Sequence, residues 1–223
     1  MEALKRLKRD GYVVVPWGGT RGLYDALRLI NSQFPVQGMD PQDAQIDFDY
    51  TYFPDSASAK EIVELYELVA PILEQALDKP VRPSSAQIAL RFPGPDRDLK
   101  PHIDGSYGRE WAPHFSALVA VFLSDVGSID GATHVWPGSH LKLGPHSQDV
   151  VQGRIPLEVL QQQPVPVTGN AGDVMIAHPL LVHSVSAVQR QHIRYTVFFR
   201  VKVEAQESIG VELLQNPWLG WTI

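Results

Sequence analysis

His102, Ile103 and Asp104 stand in a row, and on an extended strand residues i and i+2 point to the same face. An imidazole and a carboxylate at that spacing can chelate one metal ion from one side. With eight histidines and 25 acidic residues among 223, about one His-x-Asp/Glu triplet arises by chance, so the triplet alone decides nothing. Its setting decides more. It follows the turn-rich stretch PGPDRDLKP and opens a β-rich region. A third ligand has to come from a distant strand, and His183 in LLVHSVS lies beside the strand-like runs DVMIAH and IRYTVFFR. Two histidines and one carboxylate on one face of an octahedral ion leave positions open, as in non-haem Fe(II) oxygenases.

Arg194 extends that chemistry. It opens the run RYTVFFR, where strand alternation places Arg194, Thr196, Phe198 and Arg200 on one face. A guanidinium on the inner face of a sandwich requires an anion, because an unpaired buried charge is very costly. A small dicarboxylate that chelates the metal through its keto-acid end would present its far carboxylate there. Guanidinium binds such a group bidentately, which lysine does not.

The elements that must position these residues are legible in the hydrophobic pattern. Tyr12 to Pro16 reads as an edge strand ending at a proline, and Leu23, Ala26, Leu27 and Ile30 recur at helical spacing. A longer helix is predicted over 59–77, with Ser58 and Glu61 as a capping box and a kink or restart at Pro71. From residue 86 the pattern changes to β-rich runs at 87–92, 116–123, 165–168, 174–177 and 193–203, punctuated by PGP, PGS and GNAG. Short strands with turn signals between them predict an antiparallel sandwich or jelly roll. The expected organisation is one domain, mainly β with supporting α-helices. Residues 1–85 form a helical and strand support packed on one sheet, 86–203 the jelly-roll core, and 204–223 a tail.

Composition narrows the partners. Cysteine is absent, which excludes disulfides and thiolate metal sites and leaves His, Asp and Glu as ligands. The net charge of −6 and the lack of a basic stripe beyond KRLKR at 5–9 argue against nucleic acid. No apolar run has the length of a membrane span. The N-terminus lacks a signal-peptide pattern and NPWLGWTI is not a peroxisomal address, so a cytoplasmic location is expected. Oligomeric state is not legible.

The stretch from about 86 to 203 resembles the phytanoyl-CoA dioxygenase family of Fe(II)- and 2-oxoglutarate-dependent oxygenases. Four pieces carry the resemblance, in order: PHIDG at 101–105, GATHVWPGSH at 131–140, AGDVMIAHPLLVHS at 171–184, and Arg194. The resemblance implies a double-stranded β-helix with Fe(II) on His102, Asp104 and His183. It implies that Arg194, eleven residues beyond His183, anchors 2-oxoglutarate. Two positions depart from the family pattern: Ile103 replaces a common polar residue, and Val185 replaces a small polar one.

Other residues admit two readings. His178 competes with His183 as a ligand, but it precedes Pro179 at a strand end, so a turn or supporting role is expected, as for His140 in PGSH. His114, His134, His146 and His192 read as surface or hydrogen-bonded histidines, and Asp173 as a turn carboxylate. Thr133 either bonds the 2-oxoglutarate carboxylate or is a satisfied turn hydroxyl. Gln87 either contacts the co-substrate or simply belongs to the sheet. Trp111, Arg109, Trp136 and Arg200 are candidate substrate contacts, with core packing or solvated charge as the competing roles. The resulting expectation is oxidation of a small-molecule metabolite or natural-product intermediate by O2, with 2-oxoglutarate giving succinate and CO2. Halogenation is disfavoured, since related halogenases lack the carboxylate that Asp104 supplies. The rivals are a cupin-like metal enzyme that does not use 2-oxoglutarate and a non-catalytic binding domain of the same fold.

Overall fold

Two antiparallel sheets carry the β-rich runs. They were obtained as a computed structural model that describes residues 2–18, 21–33, 51–52, 59–94, 100–104, 113, 115–203 and 210–219. In chain order the strands are β1 (Tyr12–Pro16), β2 (Thr51–Tyr52), β3 (Val81–Arg91), β4 (Ala117–Phe122), β5 (Thr133–Val135), β6 (Val165–Val167), β7 (Asp173–Ala177), β8 (His183–Val185) and β9 (Arg194–Val203). The larger sheet runs β1-β7-β4-β9-β3-β2 and the smaller β6-β5-β8. The expected jelly roll is present, with β1 at a sheet edge.

Strand parity divides each buried strand between two environments. On β9, Val197, Phe199, Val201 and Val203 face outward from the sandwich, while Arg194, Thr196, Phe198 and Arg200 alternate with them. On β3 and β4, Ile88, Leu90, Val119 and Val121 share that outer face. Three helices cover it: α1 (Glu2–Asp10), α2 (Arg21–Gln33) and α3 (Lys60–Leu77). The apolar stripe of α3, Ile62, Leu65, Tyr66, Val69, Leu73 and Leu77, is buried against the sheet, and the Tyr66 ring meets Phe199 edge-on at 5.4 Å. Each such buried side chain contributes about 1.5–3 kcal/mol, which is why this face fixes the sheet in place. The inner face packs Leu118, Ala120, Phe122 and Met175 against Val135 and Val167 of the smaller sheet.

Several boundaries differ from the sequence reading. β3 starts at Val81, because Arg82 to Ser85 are exposed and a register shift between Pro83 and Ser85 hides the strand pattern. β5 is only three residues long, too short to show alternation. The N-cap of α3 is Ala59 with no side-chain cap, and Ser58 lies outside the described residues. The helix runs unbroken through Pro71. The supposed tail contributes Leu213 and Leu214 to a third cluster with Ile103, Trp136, Leu180 and Val182.

Two histidines tie the chain ends to this frame. His140 Nε2 donates to the Lys8 carbonyl at 3.1 Å, and His178 Nε2 donates to Pro217 O at 2.7 Å. Their rings lie 5.0 Å apart, each with an edge contact to Trp218. Burial pushes His140 down to about 4; burial, then repulsion from His140, pushes His178 down to about 3. Both imidazoles are therefore neutral in the native state at pH 5, whereas the unfolded chain protonates them below about 6.5. Stability should fall as pH drops from 6.5 towards 4, by about 1.4 kcal/mol per pH unit for each imidazole. Urea unfolding between pH 7 and 5 tests this: His178→Asn, though less stable at pH 7, should decline less steeply, and an unchanged slope would refute the assignment.

Candidate metal centre

The site begins at a backbone bridge. His102 and His183 face each other on neighbouring strands and exchange two N–H···O bonds, both 2.9 Å. Side chains of directly opposed residues share a face, so the two rings lie together with centroids 4.3 Å apart. Asp104, two residues on from His102, returns to the same face. Ile103 points the other way and is 2% exposed within the third cluster. Its apolar side chain anchors the 102–104 segment from behind.

The ligand atoms converge. One ligand atom each from His102, Asp104 and His183 lies within 4.8 Å of the others. Asp104 Oδ1 is 3.6 Å from both imidazole Nε2 atoms. Adjacent donors on an ion with bonds of about 2.1 Å stand roughly 3 Å apart, so the carboxylate and the two imidazoles would draw together when an ion binds.

The tautomers are set by backbone. His102 Nδ1 lies 3.1 Å from Lys100 O, and His183 Nδ1 lies 2.9 Å from Leu181 O. A carbonyl only accepts, so each Nδ1 carries a proton and each Nε2 presents its lone pair to Asp104. Two lone pairs and a carboxylate facing one another repel unless a cation sits between them. Burial alone would raise Asp104, but the two facing imidazoles and the charge of Arg200 hold it well below the usual carboxylate range, so it is an anion able to meet a cation. Asp104 in turn raises the proton affinity of His102 against the opposing effect of burial. The donor set of two imidazoles and one carboxylate, without thiolate, fits Fe(II).

One cavity of about 180 Å³ is lined by His102, Asp104 and His183 together with Arg194, Gln87, Thr133, Val185, Phe198 and Arg200. Arg194 is 2% exposed and donates through Nη1 to the Gly131 carbonyl. Gly131 has φ +72°, and a Cβ there would lie 2.6 Å from Val188 Cγ2, so only glycine allows this turn beside the arginine. Thr196, on the same face as Arg194, is 1% exposed, and its hydroxyl has no hydrogen-bond partner among the described residues. Sequence reasoning put Thr196 on the right face without seeing that its hydroxyl is buried there. Thr196 itself does not line the cavity, whereas the Arg194 guanidinium does and is of the kind that binds a carboxylate.

The remaining candidates separate clearly. Gln87 is buried and reaches the cavity, where Arg200 Nη1 donates to its Oε1 at 3.4 Å. Trp136 is 6% exposed and packs in the third cluster, away from the cavity lining, so core packing is its role here. His178 uses both ring nitrogens, accepting from the Leu180 amide at 3.1 Å as well as donating to Pro217, which leaves it no lone pair for a metal. Ser139 of the PGSH loop accepts the Val182 amide at 2.9 Å, one residue before His183. Asp173 accepts the Asn170 amide at 2.8 Å, as a turn carboxylate should. His146 pairs with Glu158 at 2.7 Å. Trp111 and Arg109 lie outside the described residues.

Titration with Co(II) or Ni(II) should reveal one tight site. Asp104→Ala or His183→Ala should weaken it by more than about 100-fold, beyond the effect typical of outer partners. His146→Ala should bind as the wild type does. Equal losses from all three substitutions would place the metal elsewhere.

The sequence matches the phytanoyl-CoA dioxygenase (PhyH) family over residues 45–195, more than half of the chain. No curated protein matches it. In fold it is similar to AviO1 from Streptomyces viridochromogenes Tue57, 22% identical with a TM-score of 0.64, covering 92% of this chain and 96% of that one. It is also similar to SnoN, a non-haem α-ketoglutarate-dependent epimerase from nogalamycin biosynthesis, at 21% identity and a TM-score of 0.66 over 90% and 79% of the chains. HygX from Streptomyces hygroscopicus, with nickel and 2-oxoglutarate bound, is 15% identical with a TM-score of 0.61 over 92% and 87%. At these identities the solved structures establish the shared fold, while the sequence match establishes descent. The chain therefore belongs to the phytanoyl-CoA dioxygenase family, non-haem enzymes that use Fe(II), 2-oxoglutarate and O2.

Proposed function

We propose that this protein oxidises a small molecule with O2 while converting 2-oxoglutarate to succinate and CO2. In this reading His102, Asp104 and His183 hold Fe(II), and Arg194 binds the far carboxylate of 2-oxoglutarate. The observation that carries it is a single cavity lined by both the metal-ligand set and a buried arginine. Bound Fe(II) supplies the activation of O2 that is coupled to decarboxylation of 2-oxoglutarate. One oxygen atom enters succinate and, in a hydroxylation, the other enters the substrate.

The chain's own residues do the rest. The carbonyls of Lys100 and Leu181 hold the imidazoles with Nε2 towards the ion. Arg194, fixed by Gly131, selects a dicarboxylate of the right length, with Thr133 on the same cavity wall as an additional donor towards it. Ala89, Leu118, Val185 and Phe198 make part of the wall apolar and limit water at the reacting carbon. Asp104 fills the third protein position, which favours hydroxylation or a related oxidation over halogenation. Arg194 also separates this reading from a cupin-like enzyme, which has no need of a buried carboxylate clamp. SnoN has been solved with nogalamycin RO and HygX with hygromycin B. A natural-product intermediate of that general kind is the substrate class we propose.

Anaerobic addition of Fe(II) and 2-oxoglutarate should produce a weak visible charge-transfer band, and aerobic incubation should form succinate. Arg194→Ala should weaken 2-oxoglutarate binding by about 2–5 kcal/mol, roughly 30-fold or more in Kd, with metal affinity unchanged. A folded wild-type protein with neither band nor succinate would contradict the proposal.

A further inference from the structure

Asp104 divides its two oxygens between different neighbours. Oδ1 is equidistant from the two Nε2 atoms at 3.6 Å, whereas Oδ2 accepts from Arg200 Nη2 at 3.0 Å. Arg200 is itself held from several sides. It lies on β9 six residues beyond Arg194 and on the same face, directly opposite Ser85 of β3 and Leu118 of β4. Its guanidinium carbon sits 5.7 Å from the centre of the Phe115 ring, and Nη1 donates to Gln87 Oε1 at 3.4 Å. The side chain is 27% exposed, so the pair adds little to stability through charge alone. Its position relative to the metal ligands is the informative feature.

We infer that Arg200 is a positioning residue that restricts Asp104 to one-oxygen ligation. The inference rests on the proposed metal site. An octahedral ion has six positions, and the three side chains fill three only if the carboxylate binds through a single oxygen. A chelating 2-oxoglutarate then takes two more, and one remains for O2. A carboxylate binding through both oxygens would take that last position. Engaging Oδ2 prevents this, and it also draws charge from Oδ1, tuning the ligand as outer partners of metal sites do. Arg200 thus acts through Asp104, whereas the sequence alone suggested a substrate contact.

The test is Co(II) binding to wild-type, R200Q and R200K proteins, read as affinity and as the visible spectrum, which reports coordination number. Urea midpoints establish that each variant is folded. R200Q should bind Co(II) no more weakly than the wild type, since a nearby cation is lost and Oδ2 is freed, with a spectrum shifted towards a higher coordination number, and R200K should return the wild-type spectrum because one cationic donor still engages Oδ2. Nitric oxide binding to the anaerobic Fe(II) and 2-oxoglutarate protein, which probes the last open position, should weaken in R200Q. A wild-type spectrum in folded R200Q would overturn the inference and leave the metal site standing. Failure of the wild type to bind Co(II) would instead overturn the metal site itself.

Discussion

The site depends on two imidazole Nε2 atoms and a carboxylate being held face to face. Left to itself, such a cluster would spread apart or turn its rings away. The antiparallel bridge between His102 and His183 prevents the first, because it fixes both rings on one face through two backbone bonds. The carbonyls of Lys100 and Leu181 prevent the second by holding the Nδ1 protons, which keeps both Nε2 atoms turned towards Asp104. Both devices are backbone features, so they are only as rigid as the sheet that carries them.

That rigidity is supplied from two directions. Behind the ligands, Ile103 and Val182 enter one apolar cluster with Trp136, Leu180 and Leu213, so the two ligand segments share an anchor. Beside them, Ser139 and His140 bind the 178–183 segment and α1 into the same block. Across the cavity, the outer face of the larger sheet is packed against α1, α2 and α3, leaving its inner face to present Arg194, Phe198 and Arg200. Parity is the common rule. Every residue that reaches the cavity from β3, β4 or β9 alternates with one that is buried under the helices.

That rule explains what was legible in the sequence. Long alternating strands announce themselves, so β9 and the inward direction of Arg194 and Arg200 were readable from RYTVFFR. Spacing and family resemblance placed His102, Asp104 and His183. The three-residue strand β5 was hidden because alternation needs length, and the exposed start of β3 was hidden because Arg82 to Ser85 lack an apolar face. Contacts between remote residues left no local trace. Nothing near Asp104 in sequence points to Arg200, 96 positions away. The burial of Gln87 and of the Thr196 hydroxyl are likewise products of tertiary packing. Trp136 illustrates the converse, an aromatic residue in a functional motif whose ring serves the core.

The central claim is that these three side chains and Arg194 form one centre for a metal ion and 2-oxoglutarate. A crystal soaked anaerobically with Mn(II) and 2-oxoglutarate, examined by anomalous diffraction, tests it most directly. The account predicts one strong peak within about 2.0–2.3 Å of His102 Nε2, Asp104 Oδ1 and His183 Nε2, with the co-substrate spanning from it to the Arg194 guanidinium. A peak on other residues, or 2-oxoglutarate bound away from Arg194, would contradict it.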